Sequence, residues 1–237
     1  MGKAIAAMVE DPDQVVALKA SAKSAQADGE WKDAITDLKE AIRLLNDRAK
    51  ESAAMTGRLA SDLADAYGMI GGAEKRWGLE MDGADRRYHL TESVAAYDKG
   101  FGYEQGLGPK YANTYNRVNR IIGRVLLDPS VLREGGGDLP DIAADLEEAE
   151  DVLDEQIESM GRRKDPWAYC DLGTVRLLRG KPDALAAFRK LEPLRPPLFV
   201  YKSILTTLKP LCEVASDLRH DVVLAVTQLQ RSARYSK

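Results

Sequence analysis

The chain has 237 residues, 44% hydrophobic and 30% charged, enough apolar material for one large domain or two small ones. Thirty-four Lys and Arg against 38 Asp and Glu leave a net charge of −4, which excludes a bulk polyanion binder. Two cysteines, Cys170 and Cys212, cannot build a disulfide scaffold or a metal site, so a reducing, cytoplasmic compartment is expected.

Taken in chain order, the pattern is helical throughout. At the start, Glu10-Asp-Pro-Asp13 interrupts any secretion-signal core, and Ala6 stands where a myristoylation signal needs Ser or Thr. No run approaches the roughly 18 apolar residues of a membrane span. From Pro12 to Ala27, Val15, Leu18, Ala22 and Ala25 recur at helical spacing, and Gly29 suits a helix cap. Trp31, Ala34, Ile35, Leu38, Ala41, Ile42 and Leu45 then form a second amphipathic stretch, so the two make a helical hairpin. A helix over Leu59–Ile70 is expected to stop at Gly71-Gly72. An inserted loop, Ala73–Leu90, would follow, carrying Lys75, Arg76, Trp77, Arg86, Arg87, Tyr88 and His89. The next helix is expected over Thr91–Phe101.

A further helix runs from Tyr115 to Val125 and breaks at Asp128-Pro129. Glu134–Asp138 reads as a loop, and a long helix follows over Asp141–Met160 with Leu146, Ala149, Leu153 and Ile157 on one stripe. Its charges, Glu147, Glu148, Asp151 and Asp154 among them, read as a solvated outer face. After Pro197 come Phe199–Leu208 and Leu211–Tyr235, with Pro210 at the first turn of the last helix. The apolar stripe of that last helix has no later repeat to cover it. Self-association through the terminal helices, giving a homo-oligomeric scaffold, is therefore the alternative to partner binding.

The strongest local signal is Tyr169, Leu172, Gly173, Ala184, Phe188 and Pro196, which fill the positions of a tetratricopeptide hairpin with one turn residue missing. Gly173 and Ala184 would lie where the two helices cross and must be small. Leu18, Ala22, Gly29, Ala34, Leu38 and Ala41 occupy equivalent places in the first hairpin. The chain thus resembles a tetratricopeptide-repeat (TPR) protein. In detail it is similar to the divergent regulatory, TRAF-binding domain of the apoptosis signal-regulating kinases and its bacterial relatives. The likeness rests on Tyr97-Asp-Lys99-Gly100-Phe101, on Tyr115 through Leu126, and on Asp165-Pro-Trp167 through Gly180. It departs from that group where Arg120 and Arg124 replace small or apolar residues.

The resemblance implies an all-α, right-handed α-solenoid of irregular hairpins, roughly nine or ten helices. It would be a single domain over 1–237, with degenerate repeats over 11–196 and capping helices over 197–237. It also implies a non-catalytic adaptor or regulatory subunit that holds a partner protein, such as a separately encoded effector. The Ala-, Arg- and Gly-rich composition suits a bacterial source.

In that register Lys19, Lys23, Asn116, Arg120, Arg124, Trp167 and Thr174 line the concave face, with Ser61 and Asp65 nearby. The groove would be locally basic and would hold an acidic peptide segment or a terminal carboxylate. No cofactor, metal or catalytic residue is expected: His89 and His220 lack a carboxylate or Cys partner at ligand spacing. The glycines from Gly100 to Gly108 lack the strand and the Gly-Lys-Ser/Thr ending of a phosphate loop. Basic residues with Trp77 and Tyr88 could stack on nucleobases, but anchoring of a long loop explains them better, so nucleic acid is not expected. A buried polar cluster in the groove would reopen an enzymatic reading.

Overall fold

The computed structural model describes residues 12–52, 55–107, 114–132, 142–159, 161–215 and 220–235. The glycine loop over 134–138 and the segment 108–110 lie outside them. Eleven α-helices and two 3-10 turns account for the regular structure, and the described residues contain no strand. The helices are α1 (Pro12–Asp28), α2 (Trp31–Glu51), α3 (Gly57–Glu80), α4 (Gly83–Gln105), α5 (Thr114–Leu127) and α6 (Ile142–Glu158). They continue as α7 (Pro166–Leu178), α8 (Ala184–Arg189), α9 (Leu191–Leu194), α10 (Leu198–Ala215) and α11 (His220–Tyr235). Consecutive helices from α1 to α8 pack in chain order, the habit of an α-solenoid, while α10 returns to lie on α5 and α7 and α11 lies on α8. The chain is all-α, as its periodicity indicates.

Short links reverse the chain. Gly29 joins α1 to α2 with φ 79°, a left-handed conformation that side chains resist. Ala22, Ala34, Leu38 and Ala41 are buried at the first hairpin. Asp165 caps α7 by accepting the Trp167 N–H at 2.9 Å, with Pro166 in the first turn where its missing donor costs nothing. Gly173 faces Phe188 so closely that a Cβ there would come within 2.6 Å of the ring. Gly173 therefore does sit where two helices approach, and Ala184 is buried at the start of α8.

The expected stop at Gly71-Gly72 does not occur. Helix α3 runs on to Glu80, and α4 begins at Gly83, so the segment 73–90 is helical apart from a short link and is not an inserted loop. These glycines serve close packing: a Cβ on Gly71 would meet the Tyr97 ring at 2.8 Å, and one on Gly78 would meet His89 Cβ at 3.1 Å. Pro210 also differs from expectation, since it lies inside α10 rather than at a helix start. Val222, Ala225 and Leu229 of α11 are buried within the chain's own core, so the stripe that motivated a self-associating surface is already covered.

Apolar side chains form two large clusters. One joins α1, α2, α3 and part of α4; the other joins α5 to α8 with α10 and α11. Polar groups sit between them on α3, α4 and α5. Ser93 donates to Gly71 O at 2.8 Å, and Asn116 donates to Ala64 O at 3.1 Å and to Glu104 Oε1 at 2.6 Å. Gly68 and Gly100 leave the room Asn116 fills, because a Cβ on either would come within 2.7 Å of its amide.

Candidate functional site

A cavity of about 330 Å³ lies between α3, α5, α7 and α10. Lys75 and Arg76 line it from α3, Tyr115 and Asn119 from α5, and Trp167, Asp171 and Thr174 from α7. Lys202, Ser203 and Thr206 complete the wall from α10. On α3, Gly68, Gly72, Lys75 and Leu79 recur at three- and four-residue spacing, so the register that seats the glycines against neighbouring helices also turns Lys75 inward.

Lys75 is 7% exposed, and its ammonium donates to Asn119 Oδ1 at 2.7 Å. Burial, with Arg76 beside it, pulls its pKa down to about 8. Arg76 donates to Gly72 O at 3.0 Å and to Gln26 Oε1 at 2.7 Å, with its guanidinium 5.6 Å from the centre of the Trp31 ring. Among the described residues neither cation has a carboxylate within 4 Å. On the opposite wall Asp171 accepts from the Thr114 hydroxyl at 3.0 Å, and Arg162 donates to that hydroxyl at 3.3 Å. Burial raises the Asp171 carboxyl to about 6, the Thr114 hydrogen bond opposing the rise. Cys170 also lines the cavity, but burial pushes its thiol well above the ordinary range, leaving no nucleophile at neutral pH.

The seven residues expected to share one groove do not come together. Trp167 and Thr174 reach the cavity, where the Thr174 hydroxyl donates to Cys170 O at 2.8 Å. Asn116 is turned toward α3 and α4, and Arg120 and Arg124 toward α4 and α6, whereas Tyr115, Asn119 and Ile122 face the cavity. Arg120 pairs with Asp98 at 3.1 Å and Asp145 at 2.7 Å, and Arg124 meets the same two carboxylates. Lys19 is some helices away, bound to Asp65 at 2.9 Å beside a second, more open cavity of about 530 Å³. Lys23 is exposed on α1. The positive charge expected of the groove is supplied instead by Lys75, Arg76 and Lys202.

Two further expectations change. The acidic run on α6 is partly an ion-pair seam: Glu150 meets Arg176 at 2.9 Å and Arg179, Asp154 meets Arg176 at 2.8 Å, and Glu148 meets Arg117, while Glu147, Glu148 and Asp151 stay exposed, as a solvated face would have them. His89 does have a carboxylate partner. Its Nδ1 lies 2.7 Å from Glu74 Oε2, both residues are buried, and the ring stacks on Trp77 at 4.0 Å. Fifteen residues separate the two in sequence, too far for ligand spacing within one helix. Among the described residues no group of three or more His, Cys, Asp or Glu is placed to hold a metal ion, and no helix is long and apolar enough to cross a membrane.

At the cavity mouth Trp167 is 39% and Phe199 60% exposed, with ring centres 6.2 Å apart and Leu198 exposed beside them. Fold and site together define an all-α protein with a cation-lined cavity between helices and an aromatic shelf at its mouth. No family model, no curated protein and no solved structure matches the chain. The tetratricopeptide likeness therefore rests on the residues quoted above.

Proposed function

We propose that the chain is a non-catalytic protein-binding module, an adaptor or regulatory subunit, whose cavity holds an acidic segment of a partner protein. The observation that carries this reading is the pair Lys75 and Arg76, sunk between helices with no carboxylate within 4 Å, Asp171 acting on Lys75 only across the cavity. Elsewhere Arg117, Arg120, Arg124, Arg162, Arg176 and Arg179 each meet a carboxylate. A buried cation lacking a counter-charge is costly, and an anionic ligand removes that cost. The exposed Trp167–Phe199 shelf favours a polypeptide over a lone small anion, because it offers an apolar residue of the same segment a place to lie.

Titration with a synthetic acidic peptide carrying one leucine or phenylalanine, followed by tryptophan fluorescence at low salt, tests the reading. Saturable binding is expected. Lys75→Met with Arg76→Gln should weaken it roughly tenfold to a hundredfold, the scale of one or two charge-assisted hydrogen bonds. Lys23→Glu, an exposed control, should leave it nearly unchanged. Equal affinity of the Lys75/Arg76 double variant and the parent protein would sink the assignment.

A further inference from the structure

The polar cluster in the cavity holds an amine, a carboxyl group and two more cations, a combination that binding alone does not exhaust. We propose that Lys75 is an imine-forming site for small carbonyl compounds bearing a carboxylate, the class of 2-oxo acids and of glyoxylate. Arg76 and Lys202 receive the carboxylate, and Asp171 supplies the acid. The inference needs the cavity but not the partner segment.

The geometry meets the requirements of this chemistry. Lys75 lines a cavity of about 330 Å³, large enough for a small organic acid and open at one side for its entry. Its hydrogen-bond partner is the neutral Asn119 oxygen, so the amine is not locked in an ion pair. The nitrogen lone pair attacks the carbonyl carbon; a C–N bond forms as the C=O π pair moves to oxygen, which takes one of the two amine protons. The carbinolamine hydroxyl takes a proton from the Asp171 carboxyl and leaves as water as the C=N bond closes, and the remaining N–H proton passes back to the Asp171 carboxylate. No oxidant or reductant is consumed. Asp171, whose carboxyl is held near 6, is the acid on the wall that returns a proton to the departing hydroxyl. With its pKa near 8, Lys75 is about half neutral at pH 8 and about a tenth neutral at pH 7, far more than an ordinary lysine near 10.4. Condensation also removes the ammonium that an acidic segment would meet, so an oxo acid would compete with the partner for this site.

The test uses the full chain, glyoxylate and cyanoborohydride at pH 8, with peptide mapping for N-carboxymethyl-lysine. Lys75 should be labelled on the order of tenfold faster than the exposed Lys32 and Lys39. Acetaldehyde, which lacks the carboxylate, should lose that preference. The rate at Lys75 should rise with a midpoint near pH 8, set first by burial and then by Arg76 on α3, with Asp171 on α7 opposing; Tyr115 on α5 and Lys202 on α10 also face the cavity. Labelling confined to exposed lysines, or equal at all three positions, overturns the proposal. Labelling of Lys75 in a protein that binds no acidic peptide would uphold it while removing the partner reading.

Discussion

Replacing Glu104 by Gln should make the protein more stable at neutral pH and leave it unchanged in acid. Glu104 is 2% exposed near the C-terminal end of α4, and its Oε1 accepts from Asn116 at 2.6 Å. Its Oε2 is buried without a hydrogen-bond partner. Burial raises its pKa from 4.5 to about 8, against the opposing effects of the Asn116 hydrogen bond and the Arg117 charge. Between those two values the native carboxyl keeps a proton that the unfolded chain has released. Stability therefore falls as pH rises from 4.5 to 8, by about 1.4 kcal/mol per unit. At pH 7 the cumulative cost is about 3 kcal/mol, approaching 5 kcal/mol at pH 8. Glutamine keeps the shape and the acceptor without the ionisation. Urea unfolding followed by circular dichroism at pH 5, 6, 7 and 8 should show the advantage of Glu104→Gln growing over that range. A difference between the two proteins that stays flat with pH would refute the argument.

Other expectations follow from the same packing. Gly173→Ala should destabilise by about 1–3 kcal/mol, since the new methyl meets the buried Phe188 ring, and thermal unfolding would show it. Gly102→Ala, in the same assay, should be neutral or stabilising by up to about 1 kcal/mol, because nothing lies within 4 Å of the added carbon in that helix. Arg176→Ala removes the cation shared by Glu150, Asp154 and Asp183 and leaves Glu150 to Arg179 alone. A loss of about 3 kcal/mol in denaturant unfolding is expected. Affinity for an acidic peptide should fall as pH rises through about 8, since Lys75 loses its charge there, and fluorescence titration at pH 7 and 9 measures it.

Helix existence was legible because a period of 3.6 needs only local residues, and the crossings at Ala22, Ala34 and Gly173 were legible because only small residues fit them. The length of α3 was not. Gly71 and Gly72 look like a helix end until Tyr97 is seen to occupy the space their missing side chains leave. The same error hid the site. Read as a loop, the segment from Ala73 gives Lys75 no helical face, and its partner Asn119 lies 44 residues away. A charged residue continuing the small-residue stripe through Gly68 and Gly72 was the available signal. Arg120 and Arg124 misled for the converse reason: their counter-charges, Asp98 and Asp145, lie on other helices and neutralise a surface that reads as basic.

Helix α10 supplies a wall of the cavity that α3, α5 and α7 leave incomplete. Because the first half of α3 belongs to one apolar cluster and α5, α7 and α10 to the second, an occupant would bridge the two, as Leu79 near the end of α3 already does. Its binding energy would be drawn from both at once, so ligand would stabilise the two sides together.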